Sequence, residues 1–132
     1  MKKEIRIKYD SIFKYGAHKE KVQYREIGTY ETVKNKTKIS FASEGTNMEI
    51  HIKGDTVRLL HNQSELHLIK GKRVKNKYLT EYGNIYIDTL MESFENNGNI
   101  KIKYQLLDQE ELVSEVYILI QLQAVEMNHE NT

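Results

Sequence analysis

The chain has 132 residues, with 20 Lys and Arg set against 19 Asp and Glu for a formal net charge of +1. That length suits one domain, and without cysteine the chain can hold neither a disulfide framework, a thiolate metal site nor a thiol nucleophile. The balanced charge argues against a protein committed to duplex nucleic acid, and no stretch approaches the roughly 20 apolar residues of a membrane helix. Met1–Lys8 carries charge without an uninterrupted apolar run, so no signal peptide is expected there. A single cytoplasmic domain over residues 1–132 is expected, with a polar, disordered tail at 127–132.

From Ile5 onward the sequence alternates between apolar or phenolic side chains and charged ones, the period of a sheet with one buried and one wet face. Ile5, Ile7 and Tyr9 share a face; Ile12-Phe13 breaks their parity and predicts a bulge near Ser11. A long strand over Lys21–Lys34 keeps Val22, Tyr24, Glu26, Gly28, Tyr30 and Thr32 on one face. Gly28, away from any turn, marks a bend or a close backbone approach. Short strands are expected at Thr37–Ser43, Asn47–Lys53, Thr56–His61 and Glu65–Lys70. They are separated by turns at Lys34-Asn35-Lys36, Ser43-Glu44-Gly45, Lys53-Gly54-Asp55 and His61-Asn62-Gln63.

The basic turn Lys70-Gly71-Lys72 comes next, then a strand carrying Tyr78, Thr80 and Tyr82, and a turn signal at Tyr82-Gly83-Asn84. In Asp88–Asn96, Leu90, Met91 and Phe94 have helix-like spacing, but continuing the series Ile85, Ile87, Thr89, Met91 predicts strand. After the turn at Glu95–Asn99, Ile100, Ile102, Tyr104 and Leu106 resume the alternation. Proline is absent, so no ladder is broken on that account. The expectation is an all-β, single antiparallel up-and-down barrel of about eight to ten strands with little helix.

Three stretches carry a family resemblance: Gly28-Thr29-Tyr30 with Lys34 and Ile39-Ser40-Phe41; Tyr78-Leu79-Thr80-Glu81-Tyr82-Gly83 with Ile85-Tyr86-Ile87; and Gly98 through Leu106. In order and spacing they resemble the YwiB-like family of small bacterial proteins, over roughly Ile5 to Leu122. The resemblance implies a calycin, lipocalin-like β-barrel and supplies no catalytic residues. His61-Asn62-Gln63 departs from the family pattern, which tends to place Arg or Gly there.

Of nine tyrosines, Tyr9, Tyr24, Tyr30, Tyr78, Tyr82 and Tyr104 fall on faces read as inward. Buried phenols need hydrogen-bond partners, for which Asn76, Thr80, Thr89 and Glu26 are candidates on the same faces. Two readings result. In one, the barrel is a non-catalytic carrier or sensor whose lumen binds a small amphipathic ligand between Tyr30, Tyr78, Tyr82 and Tyr104. In the other, the lumen is a solid core and the outer surface meets a protein, with RNA the weaker candidate. Ile27, Leu79 and Tyr86 on outer faces suggest a homodimer.

The remaining chemistry is sparse. The run Lys70–Lys77 carries five cations, and Lys34, Lys36 and Lys38 form a second cluster. Both read as solvated faces that guard strand edges, since nothing in the sequence places Tyr86 and Tyr117, the outward aromatics, beside them for base stacking. The five histidines lack paired-ligand spacing, so no metal site is expected. With no Gly-x-Ser-x-Gly elbow, phosphate loop or dinucleotide fingerprint, neither an enzyme nor a cofactor is expected.

Overall fold

The structure is a computed structural model and describes residues 1–80 and 82–125, with Thr80 described by its backbone alone. The tail expected at 127–132 lies outside the described residues. Ten strands succeed one another: β1 Lys2–Tyr15, β2 His18–Val33, β3 Lys36–Ser43, β4 Thr46–Lys53, β5 Thr56–His61, β6 Ser64–Ile69, β7 Arg73–Thr80, β8 Gly83–Asn96, β9 Ile100–Asp108 and β10 Glu111–Ala124. Among the described residues there is no helix, and none long and apolar enough to cross a membrane. All the ladders are antiparallel, in the order β6-β5-β4-β3-β2-β1-β10-β9-β8-β7. The fold is an antiparallel β-barrel, closed everywhere except at the β6–β7 seam.

The turns form where the sequence offers residues that tolerate positive φ. Asn62, at φ 57°, is an example. Its side chain accepts a 2.8 Å bond from the Asn47 amide, and its own amide donates to the Asn47 carbonyl at 2.8 Å. This ties the β5–β6 turn to the start of β4. The β9–β10 turn carries no such signature in sequence: Gln109, at φ 59°, takes a conformation that glycine usually fills.

Gly28 is a point of close approach. A Cβ placed there would lie 2.2 Å from the Ser40 carbonyl oxygen and 2.9 Å from Phe41 Cβ. β2 pairs with β1 from Glu31 back to His18 but with β3 only from Thr29 to Val33. Past Gly28, β3 leaves β2 and carries Phe41 against Tyr9 and Tyr24, with ring centroids 5.9 and 5.4 Å apart. The glycine thus lets one strand serve both sides of the barrel.

The expected bulge near Ser11 is absent. β1 keeps unbroken register with both neighbours through Ile12 and Phe13, so Ser11 and Phe13 stay on the inner face and Ile12 turns outward. The register shifts lie instead between Met91 and Ser93 and between Leu112 and Ser114. The first of these explains the helix-like spacing of Leu90, Met91 and Phe94. One inserted residue switches parity, so Met91 and Phe94 both point inward from a continuous strand.

The β6–β7 seam is closed by side chains. The Asn76 amide group stands in for a peptide: its Oδ1 accepts from the His67 N–H at 2.7 Å, and its Nδ2 donates to the His67 carbonyl at 3.2 Å. Nδ2 also donates to Thr89 Oγ1 at 3.0 Å, and Thr89 Oγ1 donates to the His67 carbonyl at 2.8 Å. Ser64 Oγ donates to the Leu79 carbonyl at 2.9 Å. Asn76 and Thr89, expected to satisfy tyrosine hydroxyls, are instead engaged here. A neighbouring edge needs its main-chain groups paired, and these polar residues do that where the strands splay apart.

Candidate functional site

One half of the barrel is solid and the other is hollow. Ile5, Ile7, Ile39, Ile52, Val57, Leu68, Ile100 and Ile120 fill the first half and are almost entirely removed from solvent. Towards the other end lies a cavity of about 270 Å³, lined by Tyr9, Ser11 and Phe13 of β1, Val22 and Tyr24 of β2, Met48, Leu59, His61 and Leu66 of β4–β6, Tyr78, Ile85 and Ile87 of β7–β8, and Tyr104 and Leu106 of β9. Period-two alternation puts each of these on an inner face. His61 shares the parity of Val57 and Leu59, and Ile85 and Ile87 precede Thr89 and Met91. Exposed His61 and Ile85 form the lip, and nearly buried Tyr9 and Tyr104 form the floor.

Tyr78 and Tyr104 line this cavity as expected; Tyr30 and Tyr82 do not. Tyr30 packs half-buried against the core, with the Lys3 ammonium 5.6 Å from its ring centroid. Tyr82 falls in the β7–β8 turn and is 92% exposed, which corrects its inner-face assignment. A turn breaks alternation, so parity counted from Tyr78 does not extend across it. Tyr9 and Tyr24 take the two vacated places, with rings 5.9 Å apart. Ser11 and His61 are the polar additions. The parity of Ile5, Ile7 and Tyr9 carries the signal for Ser11, but the expectation of a bulge masks it.

The floor phenols Tyr9 and Tyr104 are held neutral. Burial, reinforced by Tyr24 and Tyr78, pushes the Tyr9 hydroxyl above the usual phenol range. Burial, reinforced by Tyr9 and Tyr78, does the same to Tyr104. Ionising either would place a charge in an apolar surrounding beside other phenols. Glu26 sits half-buried on the inner face of β2 and does not line the cavity.

Outside the lumen several charges are paired. Arg73 binds Asp88 at 2.6 Å and also donates to the Gln109 carbonyl. Arg58 binds Glu65 at 2.6 Å, and His51 binds Glu49 at 2.8 Å. Outward-facing Tyr117 lies between the Lys14 and Lys103 ammonium groups, 5.0 and 5.3 Å from its ring centroid, away from the basic run. Tyr86, however, pairs across the β7–β8 ladder with Lys77 of that run, which corrects its expected separation from it. Among the described residues no group of three or more His, Cys, Asp or Glu is placed to hold a metal.

A ten-stranded antiparallel barrel with a half-filled lumen is the class this architecture defines. Over residues 5–120 the sequence matches the family described as a domain of unknown function, DUF1934, and the chain belongs to that family. The crystal structure of ywiB protein from Bacillus subtilis is similar, with a TM-score of 0.75 at 17% identity, covering 91% of this chain and 92% of that chain. At that identity the likeness is one of fold, and it agrees with the resemblance read from the three sequence stretches. No curated protein matches the chain.

Proposed function

We propose that the protein is a non-catalytic carrier or sensor of a small amphipathic molecule held in the hollow half of the barrel. The observation that supports this is the cavity itself, about 270 Å³, walled by aromatic and aliphatic side chains with a few hydroxyls among them. Ligand sites start near ~300 Å³ and combine an apolar wall with a few polar groups. At just under that volume, the space suits a small ligand at the low end of the pocket range. Thermal unfolding across a panel of metabolites and short lipids tests the reading, because a ligand bound by the folded state alone raises its stability. A panel in which no compound raises the melting temperature refutes it.

A second observation favours an interaction module. Tyr15, Leu79, Tyr82, Ile85, Tyr86, Leu112 and Val113 are exposed. All belong to the β1–β2, β7–β8 and β9–β10 hairpin ends, which surround the cavity's end of the barrel. An apolar rim of this kind suits a protein partner, and a homodimer is the simplest. Light scattering showing a monomer at high concentration refutes the homodimer and leaves the carrier reading standing.

A further inference from the structure

The charge character of the cavity wall selects among ligands, a selection that rests on the carrier reading proposed above. Among the described residues, no Asp, Glu, Lys or Arg lines the cavity. Its polar groups are Ser11, four phenols and the imidazole of His61 at the lip. Each of these can donate a hydrogen bond, and His61 is the one among them able to carry positive charge.

A buried ammonium would find no carboxylate among these groups. It would lose its hydration and regain only part of it from the faces of the tyrosines. A carboxylate meets the opposite situation. Hydrogen bonds to an ionised acceptor are stronger than neutral ones, and the His61 imidazole offers a donor at the lip, where part of the head group keeps its water. The apolar body then has the floor and walls to pack against: Tyr9, Phe13, Leu66 and Tyr104.

We propose that the cavity takes a monocarboxylate with a small apolar body, inserted body first, with the carboxylate accepting a hydrogen bond from the His61 imidazole. The aromatic cluster of Tyr9, Tyr24 and Phe41 behind the floor gives such a body a rigid surface. His61 is then a specificity determinant at the mouth, a role its position next to a hairpin turn does not otherwise require.

Titration calorimetry of the full chain with octanoate, octanol and octylamine at neutral pH tests this. The expected order is octanoate tightest and octylamine weakest, the two separated by about tenfold or more in Kd, or about 1.4 kcal/mol. His61→Leu should weaken octanoate binding and leave octanol unchanged, and His61→Gln, which keeps an N–H donor, should restore part of the loss. His61 is exposed, so these variants are expected to fold; a melting temperature equal to that of the parent verifies it. Octylamine binding as tightly as octanoate, or His61→Leu weakening octanol as much as octanoate, overturns the carboxylate assignment while the carrier reading survives. Binding of none of the three probes overturns the assignment; only a blank result across the wider panel overturns the carrier reading as well.

Discussion

Gly28→Ala should be among the most damaging single-methyl additions available in this barrel. The new Cβ would lie 2.2 Å from the Ser40 carbonyl oxygen and 2.7 Å from Ile7 Cδ1. Ordinary contact begins near 3.4 Å, so the oxygen must retreat by about 1.2 Å. The Ile7 methyl can move by leaving its rotamer, at about 0.5–1.5 kcal/mol. The carbonyl cannot move alone, because Ser40 pairs with Thr29 in the first rung of the β2–β3 ladder. A retreat of that size breaks the main-chain bonds of the rung, each contributing about 0.5–1.5 kcal/mol. With two such bonds and the rotamer strain, the loss comes to roughly 2–4 kcal/mol, within or just above the usual range for overpacked sites. Urea unfolding of parent and variant measures it. A loss under about 1 kcal/mol, the middle of the distribution for ordinary substitutions, would refute the close-approach account of Gly28.

Tyr104→Ala should cost about 3–5 kcal/mol, as large aromatic truncations in a core do, since Tyr104 is only 3% exposed. Tyr78→Ala, at the wall of an existing cavity, should cost clearly less in the same urea assay; equal losses would contradict the hollow end of the barrel. Asn76→Ala strands the His67 N–H and a Thr89 hydroxyl partner, and should cost about 1–3 kcal/mol, with faster exchange at the His67 amide; an unchanged exchange rate would show that the seam does not depend on Asn76. Alkaline titration probes the floor. Tyr9 and Tyr104 have raised folded-state pKa values, so their contribution is intact below the unfolded value near pH ~10 and declines above it as the unfolded chain alone loses protons. Two withheld ionisations bring the slope to about −2.7 kcal/mol per pH unit about a unit above that pH. Ionisation of both phenols in the still-folded protein would contradict their burial.

Much of the barrel is legible because alternation is a local property that survives closure of the sheet. Thr56–His61 is bounded in the structure as its residues suggest, and β3, β4 and β6 differ from expectation by a residue at one or both ends. Gly28 stands out because a glycine within a strand weakens it without some steric reason, and Ser40 and Phe41 supply that reason. What alternation cannot show is where it resets. Ser11 remains in register although its neighbours Ile12 and Phe13 suggest otherwise, whereas Met91 and Leu112 adjoin real shifts with no glycine to mark them. The site suffers from the same limit. Tyr78 and Tyr104 are legible because they lie within strands, and the inward reading of Tyr82 fails because it lies in the turn. Tyr30 has the right parity but lies beyond Gly28, where β3 has joined β2 and the space is filled. Which inward residues share a level along the barrel depends on register between strands, and no single segment encodes that.

The seam at Asn76 also bears on how the chain threads its fold. The first and last strands pair along their length, Ile5 opposite Ala124 and Lys14 opposite Glu115, while the break in the ladder falls mid-chain, between β6 and β7. To join the two halves of the sheet the chain ends must therefore meet, a pairing of high sequence separation that raises contact order and slows folding. Joining the ends through a linker and reopening the chain at Gly71 would convert the order into a plain meander running from β7 through β10 and β1 to β6. Each strand would then pair with its neighbour in sequence, and both free edges would coincide with the chain ends. Such a circular permutant should refold faster than the parent in stopped-flow measurements; equal or slower refolding would mean that closure of the two ends does not limit the rate.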